Sequence, residues 1–388
     1  MHPTYANPFR QAHLAHLLKH PEKFQITALL NSTVENAKAA IEKFKLAPTT
    51  KAYGKPEDLA KDPDVDLVVC SVRVDKHYET LLPSVKAGKD AFSEWPLGAD
   101  LKEAKELADV AKKTGAKTVV ALQGHVSPHI LQIKDIIQSG RIGKVLSTTW
   151  TGTGDNFGYG PTPSSVGYFV DKKVGGNLLT IQVAHSELSL QKCHALLDGL
   201  SLIPHLAIDP LLFALGAEFT SFSSVLGNQR PEVQIFDKAT GKNLEVVTKD
   251  TPDQILIHGR LSNGALVSYH LRGGKPSPGL PAMIWKIYGE KGEIIVTADG
   301  TSMMHISSLD ISVHDFATDK VEKNSVEDGD YADLAQPGKN IARLYDVYAN
   351  GKWVPDWDWA VKRHALLDEM FEREENGTQD VPVKCAST

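Results

Sequence analysis

Along the first 150 residues, short apolar runs alternate with segments of helical periodicity. The apolar runs predict strands at 24–30, 67–72, 90–93 and 117–122. The intervening patterns predict a helix that Ser32 caps, one at about 76–87, one that Asp100 caps with Glu103 three residues on, and one at about 128–139. Strands and helices that alternate at this spacing are typical of a doubly wound parallel sheet, so we expect a Rossmann-like α/β domain at 1–122.

From residue 145 onward the pattern is that of half-buried strands. Alternation between apolar and polar positions predicts strands at 145–150, 221–225, 254–261, 265–272, 283–288 and 293–297. Ser262-Asn263-Gly264 is a hairpin signal between two of them. Two late helices are predicted at 340–349 and 358–373. We therefore expect an α+β domain at 123–388 with a large, mostly antiparallel sheet that is open on one face.

Two irregularities interrupt this plan. Residues 1–12 contain no glycine, whereas a dinucleotide-binding domain normally opens with a strand and a glycine-rich turn that holds the pyrophosphate. The first strand predicted here therefore corresponds to the second strand of such a domain, and we expect the first to be missing. Residues 186–206 interrupt a helical pattern and predict an insertion. A misplaced start and a retained intron in the gene model are one hypothesis for both.

Composition narrows the class of protein. The 388 residues are 41% hydrophobic and 23% charged, which suits two globular domains. A net charge of −6 argues against nucleic acid as a direct ligand, and no apolar run is long enough for a bilayer. The three cysteines, Cys70, Cys193 and Cys385, have no metal-like spacing. We expect a cytoplasmic or nuclear protein without a metal or a membrane partner.

Glu94-Trp95-Pro96, directly after a short predicted strand, resembles the Glu-Lys-Pro turn of the Gfo/Idh/MocA family of sugar and polyol oxidoreductases. The surrounding motifs occur in that family's order, and they are the stretches 87–89, 138–143 and 175–177. The resemblance covers about residues 13–373. It implies a nicotinamide dinucleotide as cofactor, either NAD or NADP.

One branch of the family fits better, the galactose-pathway repressors of yeasts and their fungal relatives. The stretches that carry this resemblance are 24–29, 94–95, 122–124, 127–128 and 273–276. The resemblance implies a dinucleotide-binding sensor or regulator with a transcription-factor partner and a sugar-like ligand. An active NAD(P)-dependent dehydrogenase of a sugar or polyol is the alternative.

The residues at the turn decide between a sensor and an enzyme. Hydride transfer to or from a carbinol needs a group that takes or supplies a proton, and in the resembled family a lysine does this beside an Asp/His pair. Trp95 stands at the lysine position and Ile181 at the aspartate position. His185 remains, either as a lone catalytic acid/base or as a structural histidine. Trp95 either stacks beside a nicotinamide or sugar ring or packs the domain junction, and Glu94 either faces the ligand as an acceptor or is a solvated carboxylate.

Further candidates follow the other strand ends. Asn31 and Ser32 are neutral where an acidic residue would pair with the ribose of NAD, so NADP is tolerated, although Ser32 also reads as a helix cap alone. Arg73 either faces the nucleotide or forms a surface ion pair. The remaining cofactor-binding candidates are Ser71, Val72, His77 and Gln123. In the second domain Gln123, His125, Lys275 and the loop 153–159 are candidates for a polyhydroxylated ligand, and the open sheet face predicts a homodimer.

Overall fold

The first part of the chain folds as short parallel strands with helices between them. The computed structural model describes residues 13–154, 160–183, 208–299, 309–334 and 338–377. The strands are β1 Ala28–Leu30, β2 Lys51–Tyr53, β3 Leu67–Cys70, β4 Asp90–Ser93 and β5 Thr118–Val120. The helices are α1 Ala15–Lys19, α2 Val34–Phe44, α3 Pro56–Ala60, α4 His77–Lys86, α5 Leu101–Thr114 and α6 Pro128–Gln138. This confirms the predicted Rossmann-like α/β architecture.

The parallel strands fall into two separate sheets. β1 pairs with β2, and β3, β4 and β5 form a three-stranded sheet. Within the described ranges no strand joins the two sheets. The predicted cap of α5 is present: Asp100 accepts the amide of Glu103, and the Glu103 carboxylate accepts the amide of Ala99, the residue before the cap.

Three details of the predicted first domain are wrong. The strand predicted at 24–30 is shorter in the structure and comprises Ala28–Leu30, while Phe24 packs its ring on Tyr345 at a centroid distance of 5.2 Å. The strand β2 was not predicted, since a three-residue segment carries no apolar run. Thr33 rather than Ser32 caps α2, and its side chain accepts the amide of Asn36 at 3.1 Å.

The second part of the chain contains a large sheet of eight strands. Its members are β6 Val145–Thr153, β8 Phe219–Gly227, β11 Gln254–Leu261, β12 Leu266–Arg272, β13 Met283–Gly289, β14 Gly292–Ala298, β15 Asp310–Asp315 and β16 Lys320–Asn324. Their order is β16-β15-β14-β13-β6-β12-β11-β8, and every pair is antiparallel except β6 with β12. All six predicted strands are present. One face is buried, while the other exposes apolar side chains such as Leu146, Leu266 and Tyr288.

A smaller sheet and three helices complete the described fold. β7 Thr162–Pro163, β9 Glu232–Phe236 and β10 Asn243–Thr248 form the small sheet, and the helices are α7 Ile208–Leu215, α8 Gly338–Ala349 and α9 Trp357–Glu375. The two predicted late helices, α8 and α9, are confirmed. They return to the first domain, where Trp357 Nε1 donates to Ser93 Oγ at 3.0 Å. No helix in the part described is long and apolar enough to cross a membrane.

The domain boundary at 122 falls between β5 and the helical turn Gln123–Val126, and it stays a prediction. The helical pattern that reads across the proposed insertion appears as the π-helical segment Leu178–Val183 and as α7. The insertion itself, 186–206, lies outside the described residues.

Candidate functional site

The candidate site lies where β4 and β5 end. Ser93 is the last residue of β4, so Glu94 and Trp95 follow directly at its carboxyl end, and Gln123 follows β5 after two residues. β4 and β5 are parallel neighbours, which brings these side chains to one edge of the sheet. Ligands of open α/β sheets bind at this edge.

Glu94 is buried and only half of its carboxylate is paired. Its Oε1 contacts His13 Nε2, and His13 Nδ1 lies 2.9 Å from the hydroxyl oxygen of Tyr345. Its Oε2 is buried without a hydrogen-bond partner. Burial raises the pKa of Glu94, and the contact with His13 opposes that shift. Glu94 is therefore no solvated loop carboxylate.

Trp95 is 2% exposed and packs against the segment Leu178–Val183 and the helix α9. Its Nε1 donates to the carbonyl oxygen of Thr180 at 2.9 Å, and its ring centroid lies 4.7 Å from that of His364 on α9. Burial lowers the pKa of His364 to about 4, so this imidazole is neutral at physiological pH. Ile181, at the aspartate position, is also buried. The described side chains thus realise the packing alternative for Trp95, and the stacking role stays a prediction.

Gln123 is completely buried, yet within the described residues neither its amide oxygen nor its amide nitrogen has a hydrogen-bond partner. The Nδ2 of Asn177 is likewise buried and unpartnered. Buried polar groups in folded proteins nearly always form hydrogen bonds, so an exception indicates a place for a water or a ligand. Glu94 Oε2 and the Gln123 amide follow neighbouring strands at this edge, so among the described residues they are the buried polar atoms that a dinucleotide could satisfy.

The candidates after β3 are mostly engaged with the protein itself. Arg73 donates to both carboxylate oxygens of Asp75, at 2.5 and 2.7 Å, and lies over the ring of Tyr168 at 5.7 Å. This is the ion-pair alternative for Arg73. His77 is buried, with Nδ1 2.8 Å from the carbonyl oxygen of Pro96 and Nε2 3.0 Å from that of Val72, and burial lowers its pKa.

Ser71 is partly buried and Val72 is exposed at the same edge. Their role as cofactor-binding residues stays a prediction.

The turn after β1 is exposed and uncharged. Asn31 Oδ1 accepts the amide of Ser32, and Asn36 Nδ2 donates to Ser32 Oγ at 2.9 Å. No acidic side chain occupies the turn between β1 and α2. The contact of Asn31 and Ser32 with a nucleotide stays a prediction.

The predicted catalytic residue His185 lies outside the described residues, as does 155–159. His125, a ligand candidate, instead belongs to a buried ionic network: its Nε2 lies 2.9 Å from Asp209 Oδ2. Arg363 Nε and Trp359 Nε1 donate to Asp209 Oδ1 at 2.7 and 2.9 Å, and the Arg363 fork donates to both oxygens of Glu218. Burial alone raises the pKa of Asp209, but His125 and Arg363 outweigh it and hold that pKa below its usual range.

Sequence reasoning missed His13, Tyr345 and His364. The signal for His13 was a run of histidines at 13, 16 and 20, a helical spacing that places them on one side of the chain. Tyr345 lies inside a predicted helix, and no sequence pattern indicates its contact with His13. Across the described ranges, no group of three or more His, Cys, Asp or Glu side chains is placed to hold a metal ion.

Comparisons with known proteins agree with this geometry. A sequence model described as an oxidoreductase family with an NAD-binding Rossmann fold, Gfo/Idh/MocA, matches residues 6–122. A second, described as the C-terminal domain of Gal80p, matches 128–201 and 198–298. The dehydrogenase aclE of Aspergillus oryzae is 30% identical over 92% of this chain and 88% of its own length. The chain belongs to the Gfo/Idh/MocA oxidoreductase family.

Within that family the chain is similar to regulatory proteins. The galactose/lactose metabolism regulatory protein GAL80 of Saccharomyces cerevisiae is 29% identical over 77% of this chain, and the chain spans 65% of the length of that protein. The crystal structure of a super-repressor mutant of Gal80p from the same yeast superposes with a TM-score of 0.81, at 24% identity, over 96% of this chain and 94% of that chain. Levoglucosan dehydrogenase in complex with NADH and levoglucosan superposes at 0.71, with 18% identity, over 94% of each chain. The resemblance to the family and to its galactose-regulator branch is confirmed.

Proposed function

We propose that the protein is a nicotinamide dinucleotide-binding regulator that signals through a protein partner and does not turn over a substrate. The observation that carries the proposal is the absence of an acid/base side chain from position 95, in the turn after β4. Trp95 occupies the position of the family's lysine, is buried, and uses its only polar hydrogen on Thr180. An indole N–H is a donor only and has no proton to exchange near neutral pH. Ile181 removes the second acid/base group of the family pattern.

Binding of a dinucleotide is supported independently of turnover. Among the described residues, Glu94 and Gln123 at the ends of β4 and β5 keep buried polar atoms without a hydrogen-bond partner. When bound, the dinucleotide supplies a hydride donor or acceptor; the residues of this chain bind and orient it. Asn31 and Ser32 present neutral groups after β1, so the proposal includes NADP as well as NAD.

The alternative is an NAD(P)-dependent dehydrogenase of a sugar or polyol. It is favoured by the similarity to a dehydrogenase over nearly the whole chain. In this case His185 acts as the acid/base. The two functions differ in one measurable property, the rate of nicotinamide oxidation or reduction at saturating cofactor.

The first experiment measures binding. The purified protein is titrated with NADH and NADPH, using tryptophan fluorescence and calorimetry. We expect saturable binding of at least one of the two and no change in absorbance at 340 nm with a panel of sugars and polyols. Absence of binding by both methods contradicts the proposal and the alternative together. Turnover of a sugar or polyol that is lost in His185→Ala contradicts the regulator function and supports the dehydrogenase.

Matched variants locate the bound nucleotide. Trp95→Phe is expected to change the fluorescence quenching by NADH, because the indole lies at the proposed site. Trp285→Phe is the control, since Trp285 is equally buried and hydrogen-bonded, to Thr148, but sits in the large sheet. Asn31→Asp is expected to weaken the binding of NADPH by about tenfold and to leave the affinity for NADH unchanged, because a carboxylate repels the 2′-phosphate of NADPH. Equal effects of Asn31→Asp on both nucleotides contradict the assignment of that turn.

The partner proposed is a transcription factor, and the protein is proposed to meet it in the cytoplasm or nucleus as a homodimer. The exposed apolar side chains of the large sheet support the dimer. Sedimentation analysis of the wild type and of Tyr288→Asp tests it: the variant is expected to be a monomer. Cross-linking of the tagged protein in cells, with and without the Glu94→Gln substitution, tests whether the partner is retained only by the nucleotide-binding form.

A further inference from the structure

A chain of three buried polar side chains ends at the candidate site. Tyr345 on α8 lies 2.9 Å from His13 Nδ1, and His13 Nε2 contacts Glu94 Oε1 at the end of β4. His13 and Tyr345 are both fully buried. His13 lies 81 positions from Glu94 and 332 from Tyr345 along the chain, so the contacts join the segment before α1 to α8 and to the parallel sheet.

Each atom of this chain has a defined part to play. The His13 Nε2–H donates to Glu94, which leaves Nδ1 to accept from the Tyr345 hydroxyl when the imidazole is neutral and to donate to it when the imidazole is charged. The rings hold this geometry: His13 meets Phe92 and Tyr345 edge to face, at centroid distances of 5.6 and 5.7 Å. Glu94 Oε2, at the far end, keeps its acceptor capacity unused.

We propose that His13 and Tyr345 are positioning residues that keep Glu94 ionised and oriented, so that Glu94 Oε2 accepts a hydrogen bond from a hydroxyl or amide N–H of the bound dinucleotide. The proposal rests on the dinucleotide binding proposed above. A protonated carboxyl at this place would present a donor instead of an acceptor, and the ligand would lose its partner. Burial favours that protonated form, and the contact with His13 opposes it.

Among the described residues, His13 is the titratable side chain that forms a hydrogen bond with Glu94. His13 comes from the segment before α1, Tyr345 from α8, and Cys70 from β3. Burial, with Glu94 nearby, raises the pKa of Cys70 to about 12, and burial raises the pKa of Tyr345 well above its usual range. Both therefore stay neutral from pH 5.5 to 8.5. His16 and Asp346 lie behind Tyr345, where the His16 ring stacks on it at 6.0 Å.

The test is the pH dependence of NADH affinity, measured between pH 5.5 and 8.5 on the wild type and on folded variants. In His13→Gln the amide keeps a donor but has no charge, so the midpoint of the affinity loss is expected to rise by about one pH unit and the affinity at pH 7 to fall about tenfold. Tyr345→Phe is expected to shift the midpoint in the same direction by less. Glu94→Gln is expected to bind weakly at every pH, without a midpoint.

His16→Gln is the matched control, because His16 is equally buried and touches Tyr345 but not Glu94. Its midpoint is expected to equal that of the wild type. A wild type that binds NADH while His13→Gln and Tyr345→Phe keep its midpoint overturns the positioning role alone. A wild type that does not bind NADH overturns the proposed function as well. If His13→Gln does not fold, Tyr345→Phe decides the test, and an unmoved midpoint there overturns the proposal.

Discussion

Removing the guanidinium of Arg363 is expected to destabilise the protein strongly. Arg363 is fully buried and donates to Asp209 and, through both ends of its fork, to Glu218, each at 2.7 Å. Loss of one partner from a buried ion pair leaves an uncompensated charge and typically costs about 3–5 kcal/mol. Arg363→Met keeps the apolar stem of the side chain, so the loss reports mainly the missing guanidinium, that is, its charge and its hydrogen bonds. We expect the free energy of unfolding at pH 7 to fall by about 3–5 kcal/mol.

The sign of the pH dependence follows from Asp209. Its pKa is depressed in the folded protein, so its ion pairing stabilises the fold above the pKa of an unfolded aspartate and is lost as the pH falls through the folded value. In Arg363→Met the pKa of Asp209 rises, and protonation then relieves the buried charge. The deficit relative to wild type is therefore expected to shrink between pH 7 and pH 4.

Urea unfolding followed by circular dichroism and fluorescence measures this. Lys362→Met is the control, because Lys362 also pairs with Glu218, at 2.9 Å, but is half exposed, and exposed pairs contribute about 0–1 kcal/mol. The double variant Asp209→Asn with Arg363→Met is expected to lose less than the sum of the single changes. An Arg363→Met protein as stable as Lys362→Met would refute the reasoning.

Three further predictions concern packing and caps, and urea midpoints check each of them. Trp95→Ala is expected to cost about 3–5 kcal/mol, since it empties a buried site; a cost below about 1 kcal/mol would mean that the side chain is not packed. Gly152→Ala is expected to cost about 1–3 kcal/mol, because the added Cβ would lie 2.2 Å from the Trp150 ring, whereas Gly160→Ala, with open space around it, serves as the neutral control. Asp100→Ala is expected to cost about 1 kcal/mol by removing the cap of α5, and an unchanged midpoint would contradict the role of the cap.

Local signals explain which parts of the fold were predictable. The hairpin of β11 and β12 was predictable because Asn263-Gly264 supplies a turn between two segments in which apolar and polar residues alternate. Gly264 adopts a φ of 86° in that turn. β10 was missed because it is almost wholly exposed, so its side chains do not alternate with burial; β9 does alternate, with Val233 and Ile235 buried, but it is only five residues long. The cap of α2 was misplaced by one residue, since Ser32 and Thr33 are chemically equivalent candidates and only backbone geometry chooses between them.

The candidate site was predictable only up to the strand ends. The positions of Glu94, Trp95 and Gln123 follow from the rule that ligands bind at the carboxyl edge of a parallel sheet. Their partners do not follow from any local pattern, because His13 and His364 come from the two ends of the described chain. Arg73 illustrates the limit: its position after β3 suggested a nucleotide contact, which stays a prediction, while the structure shows its Nε and Nη2 donating to the carboxylate of Asp75, two residues on.

The two residues that differ from the family pattern, Trp95 and Ile181, are structurally connected. Trp95 Nε1 donates to the carbonyl of Thr180, the residue before Ile181, and both side chains lie in the same buried apolar cluster. A lysine and an aspartate in these places would form a charge pair, and either one alone would be a buried charge without a partner, which is strongly unfavourable. Trp95 and Ile181 instead pack as uncharged side chains. The buried polar atoms without a partner among the described residues, on Glu94 and Gln123, follow the strands at whose ends the proposed function places the dinucleotide.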